Sequence, residues 1–139
     1  MQELSCYGYK ANVDKSVTAN WYAGAGDWGC ECLHCRNFLV QTESLPKPLL
    51  GALKLLGIPP RKATYLCQLY DENGRHLYQV SWRVAGEITE TPAKEQDPDW
   101  GTLRFCHETY PYGAPDFPQP HFDLEACLWL PRVLPEEDK

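Results

Sequence analysis

Residues 63–84, ATYLCQLYDENGRHLYQVSWRV, constrain the fold more than any other stretch of this chain. Asn73-Gly74 is the strongest short-range hairpin signal, because a two-residue type I′ turn needs positive φ at both central positions. The turn sets Glu72 against Arg75. Counting outward, Leu69 then faces Tyr78, Cys67 faces Val80 and Tyr65 faces Trp82, so turn chemistry and apolar alternation select one register. That register predicts Cys67 on the apolar face.

The flanking segments supply further elements. LSCYGYKANV alternates loosely and predicts a first strand, and WYAGAGDWG reads as a glycine-rich loop leading to Cys30. From Cys32 to about Glu43 the pattern turns helical, with Cys32, Cys35 and Leu39 on one face. A second helix carries the stripe Leu45, Leu49, Leu53 and Leu56. Ser44 is its expected cap, Pro46 and Pro48 suit its start, and Gly57, Ile58 and Pro59-Pro60 suit its stop. Residues 87–101 are acidic and proline-broken, hence an exposed loop. TLRFCHETY and HFDLEACLWL predict two more strands. Leu103, Phe105 and His107 form the apolar face of one, and Phe122, Leu124, Ala126, Leu128 and Leu130 that of the other; Cys106 and Cys127 point to the opposite face. Strands and helices do not alternate in a βαβ rhythm. The expectation is therefore an α+β fold: an antiparallel sheet of four to five strands with a helical hairpin on one face. It forms a single domain over 1–139, with the hairpin at 32–57, a β-rich part at 63–131 and a solvated tail at 132–139.

Function is less legible. A net charge of −6 without a basic cluster argues against nucleic acid. No apolar run approaches the ~18 residues that span a bilayer. MQELSCYGYK lacks the basic start and apolar stretch of a secretory signal, so a cytoplasmic location is expected. Seven cysteines, an odd number, fit a reducing compartment and free or metal-bound thiols.

DWGCECLHCRNF, residues 27–38, concentrates the chemistry. Cys32-x-x-Cys35 has the spacing of half a zinc site, Cys30 adds a third thiolate and His34 a fourth candidate. A remote fourth ligand, Cys67, Cys106 or His107, is the less strained alternative. A second CxxC, which would make a zinc ribbon, is missing. The same pair also suits a thiol-redox reading, with Cys32 activated at a helix start, although thioredoxin-like proteins place CxxC after a parallel strand. The third reading is packing, since cysteine is a compact, readily buried side chain.

Other motifs carry less. Cys106 and His107 are adjacent on a strand and point to opposite faces, so they cannot form a Cys–His pair. AGAGDWG lacks the lysine and Ser/Thr of a phosphate loop. Tyr110, Tyr112 and Phe117 either meet a partner or pin down their own loop.

CECLHCRNF, LLGIPPRK, the tyrosine-rich hairpin followed by GEI, and the closing FDLEACLWLP resemble a small, uncharacterised bacterial family with a C-x-C-x-x-C-x-N-F helix start. Cys30, Cys32, Cys35, Asn37 and Phe38 match that start. The resemblance implies membership and brings no activity with it. The expectation is thus a non-enzymatic binding module with a structural cysteine cluster, with zinc as its cofactor and a protein as its partner. By composition it is analogous to acidic single domains that neutralise other proteins. A redox enzyme on Cys32/Cys35 is the alternative.

Overall fold

The structure, a computed structural model, describes residues 1–110 and 112–135. The chain is α+β, with a six-stranded antiparallel sheet and helices packed against it. The strands are β1 Gln2–Cys6, β2 Tyr9–Val13, β3 Tyr65–Glu72, β4 Arg75–Glu90, β5 Gly101–Cys106 and β6 His121–Pro131; the helices are α1 Lys15–Ala23, α2 Leu33–Leu39 and α3 Lys47–Leu56. Among the described residues no helix is long and apolar enough to cross a membrane.

β4 is the spine. One edge pairs with β3 along its first half and with β2 along its second, from Val13↔Gly86 to Lys10↔Glu90. The other edge pairs with β6 from Arg75↔Pro131 to Ala85↔His121, and β6 pairs with β5 beyond. Alternation then does its ordinary work. Tyr78, Val80, Trp82 and Val84 of β4 and Phe122, Leu124, Ala126 and Leu128 of β6 bury one face, with Leu103 and Phe105 of β5 beside them. Tyr22, Phe38, Leu49, Leu53 and Leu56 of the helices join the same core.

The sheet has one strand more than expected because the N-terminal segment is a hairpin. Tyr7 (φ 47) and Gly8 (φ 89) make its turn between the pair Cys6↔Tyr9. Residues 15–23 form a helix the periodicity does not reveal, since only Thr18 and Tyr22 of it are buried. Asp14 caps it, accepting from the Val17 N–H at 3.0 Å. Thr18 Oγ1 accepts from Ala85 N at 3.0 Å and the Tyr22 hydroxyl donates to Arg83 O at 2.7 Å, which ties α1 to β4.

α2 is shorter than the expected run to Glu43. It ends at Leu39, and a separate 3-10 turn covers Thr42–Ser44. α3 begins without a side-chain cap, so Ser44 does not act as one. Its end is as expected: Gly57 lies at φ 72 and the Ile58 N–H returns to Leu53 O at 2.9 Å.

In the central hairpin Asn73 and Gly74 make the turn and Glu72 pairs with Arg75. A bulge at Leu69 then shifts the register by one. Gln68 faces Tyr78, Leu66 faces Val80 and Tyr65 faces Ser81. Leu66 therefore fills the core, and Cys67, opposite Gln79, lies on the other face, contrary to the expectation. β4 also runs through Glu90, so residues 87–90 are paired strand rather than loop. β5 stops at Cys106, which leaves His107 exposed and off the apolar face. Phe117 is buried and Tyr110 stacks on Tyr65 at 3.7 Å, whereas Tyr112 is 93% exposed. The start of the tail is tied down. Val133 N and Leu134 N both donate to Asn37 Oδ1, at 2.8 and 3.1 Å, and residues 136–139 lie outside the described residues.

Candidate metal centre

The loop from α1 to α2 is held from below. Trp28 N donates to Arg61 O at 2.9 Å, and Arg61 pairs with Asp27 and donates to Leu39 O, both at 2.9 Å. Cys32 is the N-cap of α2, and its Sγ accepts from Cys35 N at 3.4 Å. Cys35 is buried one turn in, and its Sγ accepts from the indole N–H of Trp28 at 3.2 Å. Cys30, on the exposed loop, completes the group. The three Sγ atoms lie within 4.8 Å of one another. Thiolates ~2.3 Å from a zinc ion stand about 3.8 Å apart in a tetrahedron, so small side-chain rotations close this triangle on a metal.

The thiols differ in character. Cys32 is exposed and drawn below the ordinary thiol range, first by the Cys35 backbone N–H aimed at its sulfur. Burial pushes Cys35 up to about 12. A sulfur that receives N–H bonds is prepared for negative charge, which both a metal thiolate and a nucleophilic thiolate require.

The other candidate ligands stand elsewhere. The His34 carbonyl accepts from the Tyr78 hydroxyl at 2.6 Å, and its ring packs edge-on to His76 with centroids 5.1 Å apart. Neither His34 nor Cys67 brings a ligand atom into the group. Cys67 lies on β3 with its S–H directed to Gln68 O at 3.6 Å. Cys106 points at Glu125 Oε1, 3.8 Å away, and burial together with the Glu125 and Asp123 charges pushes it up to about 12. It is opposite Asp123, whereas Cys127 is opposite Thr102, so these two thiols are not partners.

Comparison with protein-family models, curated proteins and solved structures gave no match. The site therefore rests on its own geometry.

One constellation escaped the sequence reading. On the sheet face away from the helices, the Arg83–Asp123 ion pair (3.2 Å) is almost wholly buried. Arg83 also donates to Tyr110 O, and Tyr110 N donates to Asp123 Oδ2 at 3.4 Å. Gln79 donates to the Tyr110 hydroxyl at 2.5 Å and to Glu125 at 2.8 Å. This network holds Tyr110 against the sheet. Its signal in the sequence is a charged residue flanked by apolar ones in each strand, Trp82-Arg83-Val84 in β4 and Phe122-Asp123-Leu124 in β6.

Proposed function

We propose that the chain is a non-enzymatic binding module that holds a thiophilic divalent metal, zinc in the first instance, on Cys30, Cys32 and Cys35. The observation that carries this reading is the group of three sulfurs within 4.8 Å. The N–H groups of Trp28 and Cys35 aimed at two of them support it, because metal thiolates carry such outer hydrogen bonds. A reducing, cytoplasmic setting keeps the thiols available, and a protein partner fits the acidic surface.

The test is metal content by mass spectrometry on protein purified without chelator or nickel, with native thiol counting. Near one zinc per chain, with Cys30, Cys32 and Cys35 protected until chelator is added, is expected. Metal-free protein with slow thiols would leave the cysteines as packing. Affinity is expected to rise with pH, because binding must displace the proton that Cys35, raised to about 12, retains at neutral pH.

Trp28→Phe keeps the ring and removes the N–H to Cys35. It is expected to weaken zinc binding by about 10–100-fold, the usual effect of losing an outer-shell partner. Competition with a chromophoric chelator measures this, and the metal-free melting temperature serves as the folding control.

A second reading has its own observation. Cys32 is exposed and lowered while Cys35 is buried and raised, the asymmetry of an attacking and a resolving thiol. It predicts no bound metal, fast alkylation at Cys32 and a reversible Cys32–Cys35 disulfide.

A further inference from the structure

We propose that the metal site is open, and that its fourth coordination position is filled by an external thiolate. This rests on the metal reading above and deepens it. Structural zinc sites close with four protein ligands, whereas a site with three protein ligands, the arrangement known from catalytic zinc, keeps its fourth position for water or another small ligand. Here the described residues supply three. No further His, Cys, Asp or Glu atom of theirs joins the Cys30, Cys32 and Cys35 sulfurs. His34, the nearest candidate in sequence, cannot readily turn inward, because its carbonyl is fixed by the Tyr78 hydroxyl and its ring is packed on His76. Cys67 sits on β3, outside the group.

The approach is open as well. Cys30 and Cys32 are both exposed. A Cβ added at Gly26 or Gly29, in the loop that leads to Cys30, would meet nothing within 4 Å. Both thiols are therefore within reach of a small ligand from solvent.

The chemistry selects what arrives. Three thiolates make a soft environment that holds soft, thiolate-preferring metals, and such a metal takes a fourth thiolate in preference to water or carboxylate. In that step the incoming S–H loses its proton to solvent, one metal–sulfur bond forms and the metal–water bond breaks. Nothing is oxidised or reduced. The thiolate comes from a free low-molecular-weight thiol or from an exposed Cys30 or Cys32 of a second copy of the chain. In either case the metal is held in exchangeable form.

Cobalt(II) tests this, since its sulfur-to-metal charge-transfer band grows with each thiolate bound. The 139-residue chain is loaded anaerobically with one equivalent of cobalt and titrated with glutathione. A saturable rise of about 1.3-fold, four Co–S bonds in place of three, is expected. Native mass spectrometry then shows chain, cobalt and one glutathione. The same rise on concentrating the protein without thiol, with a dimer in the spectrum, assigns the second copy as the source. A bound-cobalt band that does not respond to thiol or to protein concentration overturns the proposal. So does a four-thiolate band already present in dilute protein that falls in Cys67→Ser. Failure to bind cobalt at all removes the metal reading, and this proposal with it.

Discussion

Replacing Arg83 by methionine is expected to destabilise the protein by about 3–5 kcal/mol, the cost of stranding one partner of a buried ion pair. Arg83 and Asp123 have side chains only 5% and 1% exposed. Methionine fills much of the volume but leaves Asp123 with no countercharge and frees Tyr110 O from its donor. The Asp123 carboxyl already lies above its ordinary range, because burial outweighs the arginine beside it, and the variant raises it further. The sign of the pH dependence follows. A raised carboxyl adds stability below the ordinary carboxylate range and loses it as pH rises through the folded value. The deficit of the variant is therefore largest at neutral pH and shrinks in acid. Urea denaturation at pH 7 and pH 4.5 measures both. The double change Arg83→Met with Asp123→Leu should recover most of the loss, since an apolar pair of similar volume removes the unpaired charge. A single variant within about 1 kcal/mol of the parent would show that the pair is not desolvated.

Gly101→Ala is expected to be nearly as damaging. Gly101 opens β5 at φ 146, a conformation that costs a side chain about 1–3 kcal/mol by itself. Its new Cβ would also stand 1.9 Å from Cys127 O and 2.9 Å from Cys127 C on the neighbouring strand. Backbone cannot yield as a flexible side chain does, so the first pair of the β5–β6 ladder, Gly101↔Leu128, has to open. A total loss above about 3 kcal/mol is expected, with faster amide exchange along β5 as the local signature. Gly51→Ala is the control. It lies within α3 with nothing within 4 Å, and there the same substitution should stabilise by about 0.5–1 kcal/mol.

These two sites also mark the boundary of what the sequence discloses. Asn73-Gly74 announces its turn because positive φ is expensive for most residues, and Gly57 announces the end of α3 for the same reason. Tyr7-Gly8 makes an equivalent turn, but tyrosine at φ 47 is an uncommon choice and gives no warning. The bulge at Leu69 is silent because Cys67-Gln68-Leu69-Tyr70 alternates smoothly through it, and one inserted residue was enough to move Cys67 to the wrong face. α1 is held by Tyr22 and by Thr18 bonded to β4, so it needs no apolar stripe. The cysteine group was legible because its members are neighbours in the chain. Arg83 and Asp123 are 40 positions apart, and only the β4–β6 register joins them.

The place of β6 within the sheet has a further consequence, for the growing chain on the ribosome. β6 lies between β4 and β5, yet it is made after every other strand. The two hairpins can form early, but β5 has no neighbour until residues 121–131 emerge. At roughly 5–20 residues per second, that leaves on the order of seconds between β5 and the strand that joins it. During that interval Leu103 and Phe105 lack their β6 neighbours, and the edge of β4 from Arg75 to Ala85 is unpaired. The sheet is thus completed only by its last strand, and until β6 joins, the chain is open-edged on both sides of the gap that β6 fills.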